Sequence, residues 1–118
     1  MLDKLRNQAF QILAATPTCT LSTTGPAGLQ ASNIALGVDQ ARLFMLVPDT
    51  SEHLFNLEHD RLVALTAENW ELTGSAVKID SAAAPFTPQQ MAWCVVFEIT
   101  PRRMHFVSEQ QEPSTIDF

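Results

Sequence analysis

A chain of 118 residues that is 46% hydrophobic and carries a formal net charge of −6 can bury one core but not two. The acidic balance argues against a nucleic-acid surface and against an anionic membrane face as partners, and no run approaches the roughly 18–20 apolar residues that a bilayer-spanning helix requires. The opening Met1-Leu2-Asp3-Lys4-Leu5-Arg6 has charges where a signal peptide has its apolar segment, so a folded, cytoplasmic protein is expected.

Leu2, Leu5, Ala9, Ile12 and Leu13 recur at helical spacing, with Lys4, Arg6, Asn7, Gln8 and Gln11 on the other side. This predicts an amphipathic helix over residues 3–15, stopped by Thr16-Pro17 because a residue before proline avoids helical angles. Thr18-Cys19-Thr20-Leu21-Ser22-Thr23 alternates small polar with apolar side chains and predicts a half-buried strand. Thr24-Gly25-Pro26-Ala27-Gly28 is a turn, and residues 29–38 form a second strand. Ala31, Asn33, Ala35 and Gly37 leave one face of that strand without large side chains, open either to close packing or to a ligand. The third strand, Arg42-Leu43-Phe44-Met45-Leu46-Val47, is apolar on both faces and therefore central.

Pro48 ends that strand, and a helix is expected over residues 51–58. The unpaired N–H groups of a helix start suit an anion, and Thr50 and Ser51 would add hydroxyls. Asp49 and Glu52 oppose this, and the local pattern fits better a plain N-cap with its capping-box partner.

Beyond it, Leu62-Val63-Ala64-Leu65-Thr66-Ala67 and residues 70–79 pair as a hairpin around Glu68-Asn69, the second strand interrupted at Gly74. Residues 80–90, with Pro85 and Pro88, are a surface connection holding at most a turn or two of helix. Residues 93–100 form a strong strand, Pro101 kinks it, and residues 102–107 resume extended. Residues 108–118 are polar and expected to be a loose tail to a single domain over 1–107. Six or seven strands with an N-terminal helix and one short helix after strand three predict a mainly β fold, an antiparallel barrel.

Few residues carry chemistry on their own. Cys19 and Cys94 each lie within an apolar run and are expected to be unpaired core residues. His53 and His59 are six apart, which does not stack two ligands on one helical face, so no metal is expected. No G-x-S-x-G or phosphate-cradling glycine loop occurs, and His105 between Met104 and Phe106 suits a plain strand residue.

Taken together the motifs resemble the FMN-binding split-barrel family, which includes pyridoxamine 5′-phosphate oxidase. The resemblance spans about residues 5–107: Cys19-Thr20-Leu21-Ser22-Thr23, Ser32-Asn33-Ile34-Ala35-Leu36, Leu43-Phe44-Met45-Leu46-Val47 running into Thr50-Ser51 and Asn56-Leu57, Leu72-Thr73-Gly74-Ser75-Ala76, and Val96-Phe97-Glu98-Ile99-Thr100-Pro101. It implies a split β-barrel homodimer with FMN along the second and third strands and flavin-dependent oxidoreductase chemistry on a small molecule. The cofactor-binding residues would be Ser32, Asn33, Ile34, Val47, Thr50, Ser51 and His53, and Trp93, Arg102 and Arg103 would lie towards the substrate. His53 falls where such proteins usually carry a Lys and Glu52 where an Arg is frequent, while Ser32 and Gly37 fall at two basic positions of strand two. With no fixed cation at these four positions, weakened FMN binding is expected. The alternatives are a non-catalytic dimeric module for a flavin, haem or other flat ligand, and a ligand-free interaction protein.

Overall fold

The apolar series at the start of the chain forms helix α1 (Leu2–Ala14), which lays Ala9 and Leu13 into the core. The computed structural model describes residues 2–118; Met1 and the side chain of Leu2, first of the predicted apolar series, lie outside the described residues. Thr16 ends the helix by donating its hydroxyl to the Ile12 carbonyl at 2.8 Å, and accepts from Trp70 Nε1 at 3.1 Å. No helix among the described residues is long and apolar enough to cross a membrane.

The strands follow the predicted order: β1 (Thr18–Thr23), β2 (Gln30–Asp39), β3 (Arg42–Pro48), then helix α2 (His53–His59), β4 (Leu62–Ala67) and β5 (Trp70–Lys78). A single 3₁₀ turn (Ser81–Ala83) and helix α3 (Pro88–Met91) lead to β6 (Cys94–Val107) and β7 (Pro113–Asp117). Every pairing is antiparallel, in the order β3-β2-β1-β4-β5-β6. Pairing of β3 with β6, Met45 opposite Phe97, closes these six into a barrel, and β7 lies outside the ring on the free edge of β6.

Alternation decides what fills the barrel. Cys19 and Leu21 of β1, Leu43, Met45 and Val47 of β3, Leu65 of β4, Leu72 and Ala76 of β5, and Ile99 and Met104 of β6 form one buried cluster. As expected, β3 is buried on both faces: Phe44 and Leu46 point away from that cluster yet are 0% and 4% exposed. The 80–92 connection, far from being only a surface excursion, supplies part of the cover. A Cβ on Gly37 would lie 2.9 Å from the Phe86 ring and 3.2 Å from Pro85, so this segment sits directly on β2. Arg42 covers Phe44, 5.1 Å from the ring centroid, and is held there by Glu98 at 2.8 Å.

Two expectations need correction. Residues 108–118 are not a loose tail, because Arg103 to Val107 of β6 pair with β7, Ile116 is 2% exposed, and the Phe118 ring packs edge-on to Phe10 at 5.8 Å. The free edge of β6 supplies hydrogen bonds that the polar composition of the segment does not announce. Helix α2 starts at His53 rather than 51, and neither Asp49 nor Glu52 caps it with its side chain. Pro48 is still paired opposite Cys94, and the Asp49 N–H donates to the Trp93 carbonyl at 2.9 Å, so the chain stays tied to β6 too long for Asp49 to reach the helix.

Candidate functional site

The helix start and the β1–β2 turn meet at Asn56. This residue is 0% exposed: its Nδ2 donates to Thr23 Oγ1 at 3.1 Å and to the Gly28 carbonyl at 2.8 Å, and its Oδ1 accepts from Ala27 N–H at 2.9 Å. Gly25 permits the approach, since a Cβ there would lie 2.7 Å from Asn56 Oδ1. One helical turn earlier, His53 is 2% exposed with both ring nitrogens engaged, Nδ1 with Thr23 Oγ1 at 2.7 Å and Nε2 with Ser32 Oγ at 2.8 Å.

The direction of this chain of hydrogen bonds follows from donor counting. Thr23 is 2% exposed and its oxygen already accepts from Asn56, so its proton must go to an acceptor, and His53 Nδ1 is the one within reach. A neutral imidazole then carries its single proton on Nε2 and donates it to Ser32 Oγ. Burial acts the same way, pulling the His53 pKa below its ordinary value by penalising the charged form. The sequence runs Asn56 to Thr23 to His53 to Ser32, and ends at a hydroxyl on the barrel rim.

The predicted cofactor-binding residues divide accordingly. Ser32, Ser51 and His53 do come together around the helix start; Ser51 Oγ accepts from the His53 N–H at 3.1 Å, taking the capping role foreseen for Asp49. Thr50 and Asn33 are exposed nearby in the chain, whereas Ile34 and Val47 are 3% and 0% exposed, their side chains committed to the core. The bare face of β2 is open at Ala31 and Asn33 but closed at Gly37 by Phe86. Of the three residues expected towards a substrate, Arg103 is paired with Asp117 at 2.6 Å and Trp93 is 83% exposed on a left-handed backbone (φ 63°) next to the helix start. Arg102 is exposed on the outside of the barrel. Thr23 and Asn56, which organise the cluster, stand in the sequence within two of the motifs that carry the family resemblance, but nothing there gives either a role.

The residues present do not fit an FMN phosphate at the helix start. No lysine or arginine stands in the cluster, Glu52 is exposed beside it, and the one titratable nitrogen base is buried, neutral and satisfied by its own chain. Among the described residues no group of three His, Cys, Asp or Glu side chains could hold a metal ion.

No family model matches the sequence, and neither does any curated protein. Solved structures do match. General stress protein 26 from Bacillus anthracis superposes with a TM-score of 0.71 at 16% identity, over 97% of this chain and 98% of that one. A Clostridium acetobutylicum protein related to general stress protein 26, of the pyridoxinephosphate oxidase family, gives 0.73 at 8% identity over 100% and 97%. The chain has the split-barrel fold. A heme binding protein from Mycobacterium smegmatis shares it, with a TM-score of 0.66 and 19% identity over 95% of this chain but 57% of its own length. At such identities the likeness is one of fold, and what this split barrel binds has to be argued from its own side chains.

Proposed function

We propose that this split barrel is a homodimeric module that binds a flat organic ligand, flavin foremost, without anchoring a phosphate at the start of α2. One observation carries this reading: His53, at the position where the family resemblance expects the phosphate's cation, is 2% exposed and hydrogen-bonded at both nitrogens to Thr23 and Ser32. Each missing charged hydrogen bond removes about 1.5–3 kcal/mol of phosphate affinity. Binding is therefore placed ahead of flavin-dependent oxidoreductase chemistry, which needs a cofactor held firmly and in one orientation. The heme binding structural neighbour supports haem as the alternative flat ligand. Its iron would have to look to His59 or His105, both at the surface, since His53 has no nitrogen to spare.

Dimerisation is supported by the apolar surface left on the single chain, where Phe55, Val77, Trp93 and Val107 are all exposed. Light scattering at micromolar concentration should give twice the 13.0 kDa chain mass, and a monomer mass would count against it. Absorption spectra of the purified protein, alone and after addition of riboflavin or haemin, test the ligand reading. A protein that is colourless as purified and shifts the flavin band on addition is expected; no change with either ligand would move the interaction-protein reading ahead.

A further inference from the structure

A groove of about 460 Å³ crosses the outer face of the barrel over β1, β4 and β5. Its floor is one cross-strand row of small side chains, Ser22 opposite Ala64 and Ala64 opposite Thr73. Leu29 and Leu62, 74% and 58% exposed, stand along it, and Arg102 also lines it.

The backbone is built irregularly to bring Arg102 there. Arg103 pairs with Thr73 and Pro101 with Gly74, so Arg102 is the extra residue of a β-bulge in β6. Strict alternation from the buried Met104 would turn residue 102 towards the barrel interior; the bulge turns it outward instead. Gly74 accommodates the bulge, because a Cβ on it would collide with the Thr100 carbonyl oxygen and lie 3.1 Å from Pro101 Cα. The Phe118 N–H donates to the Arg102 carbonyl at 2.9 Å and fixes the backbone from the other side. Arg42 and Arg103 are each held by a carboxylate, whereas among the described residues Arg102 makes no ion pair. The nearest acid by register is Asp117, opposite Arg103 on β7; it is bonded to Arg103 and acts on Arg102 only through its longer-range charge, and neither it nor Glu71, one row further on opposite His105, lines the groove.

We propose that this groove is a binding site for a small, flat organic anion of the aromatic carboxylate or sulfonate class. Its volume falls within the about 300–1,000 Å³ typical of ligand sites, with mostly apolar walls and few polar groups. The apolar body lies on the Ser22–Ala64–Thr73 row between Leu29 and Leu62, and the charged group meets the Arg102 guanidinium, whose fork of donors matches two anionic oxygens. In a chain of net charge −6, an unpaired cation beside an apolar groove is the complement that such an anion needs. One end of the groove reaches Thr23 of the helix-start cluster, but the anion contact proposed for it is Arg102 and uses no residue of the helix start.

The test uses the full chain with 8-anilinonaphthalene-1-sulfonate and its uncharged analogue N-phenyl-1-naphthylamine, followed by fluorescence. One sulfonate per chain is expected. Arg102→Gln should weaken the sulfonate about tenfold, the loss of one charged hydrogen bond at an exposed site, and leave the neutral analogue unchanged. Thr73→Trp, which fills the groove from an exposed position, should abolish both. If circular dichroism shows that Thr73→Trp fails to fold, Arg102→Glu replaces it and should weaken the sulfonate more than Arg102→Gln does. Sulfonate affinity unchanged by the Arg102 substitutions would overturn the proposal. So would a wild-type dimer that binds neither probe and becomes monomeric in the filled variant, since the groove would then be a subunit interface.

Discussion

His53 is a histidine wholly engaged in internal structure. Its ring is neutral because burial disfavours the imidazolium and because Thr23 needs Nδ1 as an acceptor. The folded-state pKa is below the unfolded value of 6.5, so the unfolded chain binds the proton more readily. Stability from this residue is complete above about pH 6.5, falls as the pH drops through that value, and levels off below the folded-state pKa. Urea denaturation from pH 7.5 down to pH 5 should show that loss, and His53→Gln should show less of it; a variant with the same slope as the wild type would contradict the assignment. Asn56→Asp keeps the shape and the acceptor for Ala27 but loses both Nδ2 donations and buries a charge, and should cost about 3 kcal/mol or more by the same measurement. Glu52→Arg acts outside this network, on an exposed residue, and should raise FMN affinity by about fivefold or more through removal of one repulsive charge and addition of an attractive one. Equal FMN affinity in both proteins, by fluorescence quenching, would show that the phosphate never approaches the helix start.

At the scale of elements, the sequence revealed the barrel well where alternation was strong and poorly where pairing depended on distant partners. The strand alternation of residues 18–23, the bifacial apolar run of 42–47 and the hairpin around Glu68-Asn69 all reappear as β1, β3 and β4–β5, because each is a local pattern. The gap at Gly74 and the kink at Pro101 were visible as two separate irregularities; only the register shows that they face each other and make one bulge. Strand β7 was hidden because one buried Ile116 in a polar run is a faint signal, and its partner edge lies on β6. The candidate site was legible as a place, the helix start with Ser32, Ser51 and His53, but its wiring through Thr23 and Asn56 was not, since those contacts span about thirty residues of sequence. Gly74→Ala should cost about 1–3 kcal/mol, because its neighbours are backbone atoms that cannot give way cheaply. Ile116→Ala should cost about 2–4 kcal/mol if β7 is part of the fold, and a loss near zero in urea denaturation would return residues 113–117 to a tail.

At the scale of the whole molecule, a closed six-stranded ring fixes the helix start against the β1–β2 turn and leaves polarity concentrated at its rim and outer faces. The fold is one that other chains share, and the four positions where the family resemblance expects phosphate contacts hold a buried neutral histidine, an exposed glutamate, a serine bonded to that histidine and a glycine under Phe86. Under the proposed function, recognition would rest on flat surfaces and on whatever single cations remain free, not on a phosphate clamp. The comparison of FMN with riboflavin, which differ by the phosphate alone, tests this most directly. Parallel fluorescence titrations at low ionic strength should give FMN an affinity equal to or weaker than that of riboflavin, because the phosphate meets no cation at the helix start and a protein of net charge −6. FMN binding tenfold or more tighter than riboflavin, with the difference lost in Ser51→Ala, would contradict the account.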